Sequence, residues 1–336
     1  MKGLFSFRMR KFFYNNVSRL LFGNSAHADW ILEKMQRPGS IWLTCLNLWN
    51  YWRGVPHLAG LTSIVIEPVY GCNLRCKTCW GGVSFVESRP TRMSWETFAR
   101  IMDNLPKSVE SVTFSLAGEP LLHDDIIRMI EYACKAGIRA ILATNGTLLT
   151  GTLVERLAAS HLAVVNVSVE TDPELNRDIR GIDQARIREN IIRLTALKRP
   201  EMEIKLALVA HRDNDAKISQ VRQQWAGLIS NIKVSPEFRF NGAGNVSACL
   251  ELWRGNVNIL TDGSVIPCCV SVFSGDPQAI VIGNVNEQTL DEIIQGQRFR
   301  KILAEASQGN PPELCRRCVE FRSPKIPRRA LKLGKQ

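Results

Sequence analysis

The run Tyr70-Gly71-Cys72-Asn73-Leu74-Arg75-Cys76-Lys77-Thr78-Cys79-Trp80 carries three cysteines spaced C-x3-C-x2-C. Thiolates are metal ligands, and three are one short of the four that close a tetrahedral zinc site or saturate a four-iron cluster. The shortfall has a chemical use. A four-iron, four-sulfur cluster held by three thiolates keeps one iron open, and that iron can bind and activate a small molecule. A structural metal loop, or three cysteines placed by chance, are the plainer readings of the same run. A second constellation follows downstream: Cys249, thirteen residues to Gly263, four more to Cys268, then Cys315-Arg316-Arg317-Cys318. Four thiolates are enough for one closed cluster, and the same set also suits a structural zinc.

These residues need elements to hold them. From residue 61 apolar runs alternate with amphipathic segments, the pattern of βα units on a parallel sheet. The pattern predicts strands at 61–67, 111–116, 138–143, 162–169, 203–210 and 232–240. It predicts helices at 94–104, 124–136, 151–159, 183–197 and 215–228, with Gly137 as the stop of the second, and a further helix at 289–296. Cys72, Cys76 and Cys79 then lie just after the first strand. In parallel arrangements of this kind the chemistry sits on loops after the strands' C-terminal ends.

With that spacing and position, the chain resembles the radical S-adenosylmethionine (SAM) enzymes. The resemblance implies an α/β fold, a partial (βα)6 TIM-like barrel, whose open cluster iron chelates the amino and carboxylate groups of the methionine moiety. An electron from the cluster then cleaves the sulfonium to a 5'-deoxyadenosyl radical. The family usually has an aromatic before the last cysteine; here Thr78 stands there and Trp80 follows. Ala117-Gly118-Glu119-Pro120 is similar to the family's G-G-E-P motif, which holds the methionine amino group, with Ala117 in place of the first glycine. Gly118 would allow close backbone approach, and Glu119 or neighbouring carbonyls would accept from the ammonium. Thr144-Asn145-Gly146 resembles the T-N-G loop of members with auxiliary clusters. Val167-Ser168-Val169-Glu170 stands where relatives read S-x-D-G, followed by Ile179-Arg180-Gly181. The resemblance gives Ser168 and Arg180 the methionine carboxylate, Arg180 as a two-pronged donor; a helix-cap ion pair is the plainer role for Arg180. His211 and Arg239, at the ends of the fifth and sixth strands, would face the substrate cavity as catalytic candidates that orient substrate or move a proton.

The second constellation is similar to the SPASM and Twitch extensions of this family. It implies a small C-terminal iron-sulfur domain with one auxiliary 4Fe-4S cluster on Cys249, Cys268, Cys315 and Cys318. The expected layout is an N-terminal, mainly helical extension over 1–60, the barrel over 61–241, the auxiliary domain over 242–322 and a basic tail over 323–336. A fully ligated cluster beside the active site can accept the second electron of a substrate oxidation. The implied partners are a small-molecule substrate, such as a carbohydrate or cyclitol, and a flavodoxin- or ferredoxin-type electron donor. Maturation of a ribosomally made peptide, by cross-linking or epimerisation, is the alternative.

Composition sets the remaining bounds. Ten cysteines without an evident secretory signal point to a reducing cytoplasm rather than a disulfide framework. Cys45, Cys134 and Cys269 lie outside the two constellations and read as small buried hydrophobes. The net charge is +11, and the tails account for all of it. Five bases precede the first acid, Asp29, and six follow the last, Glu320. The formally neutral body argues against a nucleic-acid partner. Residues 1–22 interleave bases with aromatics, which suits peripheral association with an anionic membrane, a helix packed on the body, or a transit peptide. No apolar run approaches the length of a membrane span.

Overall fold

The computed structural model describes residues 38–79, 91–210, 215–229, 231–236, 249–274 and 280–317. Helix α1 (Pro38–Arg53) leads into strict alternation: β1 (Ser63–Ile66), α2 (Trp95–Asp103), β2 (Ser111–Phe114), α3 (Ile126–Lys135), β3 (Arg139–Thr144) and α4 (Gly151–Ala159). It continues with β4 (Val164–Ser168), α5 (Pro173–Arg180), α6 (Gln184–Leu197), β5 (Glu203–Ala210), α7 (Asp215–Gln224) and β6 (Asn231–Pro236). Then follow β7 (Asn256–Ile259), β8 (Ser264–Ile266), β9 (Gly283–Asn284), α8 (Leu290–Gln295), α9 (Gln297–Ser307) and α10 (Glu313–Arg317).

Strands β1 to β6 pair in sequence order, each parallel to the next. The full sheet has nine strands in the order β6-β5-β4-β3-β2-β1-β7-β8-β9 and is not closed, an α/β fold of partial-barrel type. Its two faces differ in chemistry. Ile64, Ile66, Phe114, Leu142, Val167 and Leu206 are all fully buried. Phe98 of α2 packs on Phe114 with ring centroids 6.1 Å apart, so this is the face the helices cover. The alternate positions point the other way, because successive side chains of a strand face opposite sides. Register aligns Ala143 with Asn166 and Asn166 with Lys205, and Thr113 and Ser168 share their side.

The six expected strands are all present. Helix α5 departs from expectation, since the sequence pattern assigns no helix to residues 172–181. Its start and stop signals are standard: Asp172 accepts from Leu175 N at 2.8 Å, Pro173 occupies the first turn, and Gly181 ends it in the left-handed region. Eight residues with a largely polar composition give too weak a periodicity to register. The expected strand end at 237–240 lies outside the described residues.

Two compact units interleave along the sequence, Ser63–Glu237 with Val257–Ile293, and Met1–Thr62 with Phe238–Asn256 and Ile294–Gln336. In the first, the β7–β8 hairpin buries Leu260 and Ile266 with Val272, Val281 and Ala117. Glu67, fully buried just after β1, accepts from Ala117 N at 3.4 Å and from Thr261 N at 3.3 Å, fastening the hairpin to the loop after β2. In the second, Tyr51 of α1 stands edge-on to Trp253 at 5.6 Å, and Trp253 Nε1 donates to Val55 O at 3.1 Å. Cys45 corrects an expectation: it is exposed rather than buried, because it lies on the outer side of α1. Cys134 and Cys269 are half-buried.

Candidate active site

The loop carrying Cys72, Cys76 and Cys79 follows β1 and is fastened at three places. Asn73 Nδ2 donates to Thr147 Oγ1 at 2.8 Å, and Asn145 Nδ2 donates to Asn73 Oδ1 at 2.9 Å, which ties the loop to the turn after β3. Lys77 N donates to Ile179 O at 2.8 Å, and Lys77 Nζ pairs with Asp178, which ties it to α5. The third tie is to Ala117–Pro120, after β2. Glu119 N donates to Gly71 O at 2.9 Å, and a Cβ on Gly118 would sit 1.9 Å from Val69 O and 2.7 Å from Gly71 O. Only glycine lets the two backbones approach this closely. Just before it, Leu116 has φ +116°, a conformation an L-residue adopts at a cost of about 1–3 kcal/mol.

Glu119 has partners within the protein. Its carboxylate is 2% exposed and accepts from Leu121 N at 3.1 Å, Thr144 Oγ1 at 2.7 Å and Asn145 N at 2.8 Å. Burial pushes its carboxyl above the usual range, while those three donors pull it back. The side chain is therefore a clasp between the loops after β2 and β3, and Pro120 opens the short turn it caps. Sequence reasoning quoted Asn73 and Thr144 within motifs without giving either a role in this network, and missed Thr147. Their positions beside Cys72 and Asn145 were the only available signal.

Asn145 is the hinge of the arrangement. Its Oδ1 accepts from Thr147 N and Oγ1 at 2.9 and 2.6 Å, and this fixes which way the amide points. Its Nδ2 reaches Cys72 Sγ at 3.7 Å, and Leu74 N reaches the same sulfur at 3.4 Å. Hydrogen bonds to cluster sulfurs help set the reduction potential. Adding an electron makes the sulfur a better acceptor, so a donor there stabilises the reduced form. Asn145→Ala is expected to lower the potential of the three-cysteine cluster, read by a redox titration followed by electron paramagnetic resonance; an unchanged midpoint would refute the role.

Arg180, the last residue of α5, donates from Nε to Glu170 Oε1 at 2.8 Å, with side chains 11% and 2% exposed. Burial pushes the Cys76 thiol up to about 11, and the Arg180 guanidinium opposes this, so the cation lies within electrostatic reach of that sulfur. Burial raises Cys72 as well. Ser168 ends β4 and is half-buried. His211, Arg239 and Cys318 lie outside the described residues. Cys249 precedes a short 3-10 turn (Leu250–Trp253), Cys268 follows β8, and Cys315 lies in α10.

The residues fit an open cluster with its co-substrate. The three thiols occupy one loop, none is in a disulfide, and each is half-buried. Among the described residues no three His, Cys, Asp or Glu side chains converge as ligands of one metal ion do. Three thiolates on three irons of one cluster need no such point.

Comparison with known proteins agrees. The family model described as "Radical SAM superfamily" matches residues 66–223, and the "Iron-sulfur cluster-binding domain" model, SPASM, matches 249–319. A relative is the AdoMet-dependent heme synthase of Oleidesulfovibrio alaskensis, 26% identical over 152 residues, covering 45% of this chain and 39% of that one. The chain spans between 35% and 41% of the length of three such heme synthases. Among solved structures, Streptococcus suis SuiB bound to precursor peptide SuiA aligns with TM-score 0.60 at 16% identity, covering 77% of this chain and 70% of that one. BtrN in complex with AdoMet and 2-DOIA aligns with TM-score 0.54 at 20% identity, covering 80% and 96%. These two likenesses concern the fold. The cofactors that go with the matched domains are a 4Fe-4S cluster with S-adenosylmethionine and auxiliary iron-sulfur ligation. With both models matched in the expected order, the chain carries a radical SAM domain over residues 66–223 followed by a SPASM-type iron-sulfur domain over 249–319.

Proposed function

We propose that the protein abstracts a hydrogen atom from a small, hydroxyl-rich or anionic metabolite and oxidises it by two electrons. When bound, the cluster on Cys72, Cys76 and Cys79 supplies the electron that turns S-adenosylmethionine into a hydrogen-abstracting 5'-deoxyadenosyl radical. The chain's own residues position that chemistry. Gly118 brings the backbone of the loop after β2 against the cysteine loop, where its carbonyls can accept from the methionine ammonium. Glu119 holds the two loops together. Arg180, with Nε committed to Glu170, presents its terminal nitrogens to the methionine carboxylate, and Ser168 adds a hydroxyl. Cys249, Cys268, Cys315 and Cys318 are proposed as ligands of one auxiliary 4Fe-4S cluster that takes the second electron. The domain bounds proposed from the sequence, 61–241 and 242–322, follow this division of labour. A flavodoxin- or ferredoxin-type protein in a reducing cytoplasm is the proposed donor. His211 and Arg239 are kept as candidates for proton transfer or substrate orientation.

The observation that carries the small-molecule reading is the chemistry of the sheet face opposite the helices. Asn166, at mid-strand in β4, is 9% exposed, and its Oδ1 has no hydrogen-bond partner among the described residues. Buried polar atoms left unpaired are costly, and they are found where a ligand or water completes them. Register places Asn166 beside Lys205, whose ammonium pairs with Glu203 at 2.9 Å, and Thr113 and Ser168 share the face. A hydroxylated or carboxylated substrate could satisfy these groups; an apolar side chain would not.

The test is substrate-coupled 5'-deoxyadenosine release from the anaerobically reconstituted enzyme, offered sugars, cyclitols and organic acids alongside peptides. Asn166→Leu is expected to raise KM for the active metabolite about tenfold with kcat little changed, since one hydrogen bond to substrate is lost. Coupling to a peptide alone would replace this reading by peptide maturation.

A further inference from the structure

Helix α1 turns its apolar side outward. Trp42 is 69% exposed, Trp49 59% and Trp52 41%, and they are the three exposed tryptophans among the large hydrophobics of the described residues. At about 100° per residue these three and exposed Cys45 fall within an arc of roughly 80°. The opposite side is anchored by polar groups and one phenol ring. Asn47 is fully buried, donates to Gly60 O at 3.0 Å and accepts from Ala59 N at 2.7 Å, while Tyr51 packs on Trp253. Such a helix is fixed in rotation, so it cannot roll its tryptophans inward.

Charge selects the partner. Helix α1 contains no acidic residue, and Arg53 in its last turn stacks over the Trp49 ring at 5.7 Å. The residues before it, 1–37, hold seven bases and two acids. Tryptophan has an apolar ring body and one N–H, which suits the boundary between lipid headgroups and acyl chains, and flanking bases are drawn to anionic headgroups. Tryptophans suit protein interfaces as well, so the choice of a bilayer rests on charge: no acid on α1, Arg53 over Trp49 and the seven bases before the helix. None of the described helices is long and apolar enough to cross a membrane, so the contact is one of lying on the surface.

We infer that the Trp42, Trp49 and Trp52 face of α1 is a docking surface for an anionic lipid bilayer. None of the three tryptophans is among the residues given a role in the radical site, so their loss is expected to leave the chemistry intact. The experiment is flotation of the full-length, cluster-loaded protein with vesicles of phosphatidylglycerol and phosphatidylcholine, and with phosphatidylcholine alone. Binding to the mixed vesicles only is expected, falling at least about tenfold in W42S/W49S/W52S and retained in W42F/W49F/W52F. Iron content and 5'-deoxyadenosine release should be unchanged in both variants. No binding to either vesicle, or equal binding by the serine variant, overturns the proposal. A dimer in light scattering that the serine variant dissolves, without vesicle binding, would overturn it too and give the face to a second copy.

Discussion

Changing Cys72, Cys76 and Cys79 together to alanine is expected to lower the iron content from about eight to about four per chain and to abolish 5'-deoxyadenosine release. The expectation rests on two independent ligand sets in one chain. The three thiols share one loop, held by Asn73 to the turn after β3 and by Lys77 to α5, while the other four lie between Cys249 and Cys318. Changing Cys268 and Cys315 to alanine is expected to remove the complementary irons and leave the loop cluster's signal in place. Metal analysis of both variants decides the assignment. Loss of about eight irons in the first variant would mean that the loop supports the whole fold. About four irons with one zinc in the unaltered protein would remove the electron-accepting role of the second site and favour a redox-neutral reaction.

Gly118→Ala is the second large effect. A methyl group there would lie 1.9 Å from Val69 O and 2.7 Å from Gly71 O, both of them backbone atoms that cannot swing aside. Overpacking usually costs about 1–3 kcal/mol, and a clash of this depth with backbone belongs at or above the upper end. Gly137→Ala provides the scale. Gly137 has φ +77° and open space within 4 Å of where a methyl would point, so its penalty is backbone strain alone, about 1–2 kcal/mol. Urea unfolding of the two variants under argon is expected to give a lower midpoint for Gly118→Ala, together with weakened S-adenosylmethionine binding in that variant only. Equal midpoints and equal binding would show that the loop after β2 yields easily and that the cradle is not a constraint.

Local signals made much of this legible beforehand. The alternation of apolar runs with amphipathic segments located β1 to β6 because half-buried strands and surface helices impose different periods on the chain. The C-x3-C-x2-C run pointed to an open cluster because three thiolates are one short of a closed site, and the resemblance to radical SAM enzymes supplied its chemistry. Helix α5 escaped since its evidence lay in caps, Asp172 and Gly181, rather than in a periodic face.

Roles, by contrast, depended on long-range contacts. The sequence offered Glu119 or its neighbouring carbonyls to a ligand, and only the folded chain shows that its carboxylate also accepts from Leu121, Thr144 and Asn145, partners up to 26 residues away. Nothing in the string of letters distinguishes a carboxylate that meets substrate from one that clamps two loops. Asn166 shows the reverse case: an ordinary mid-strand residue becomes significant once register sets it beside Lys205 and leaves its oxygen unpaired. The outward face of α1 belongs with these, because aromatic residues alone predict burial, and only the packing of Asn47 and Tyr51 shows which side was left for the tryptophans. By itself the sequence determined the spacing of the cysteines, the order of strands and helices, and the concentration of charge in the tails, all properties of spacing and composition. Tertiary structure alone decided which polar groups are satisfied and which are left to meet a ligand, because hydrogen-bond partners come from segments that only folding brings together.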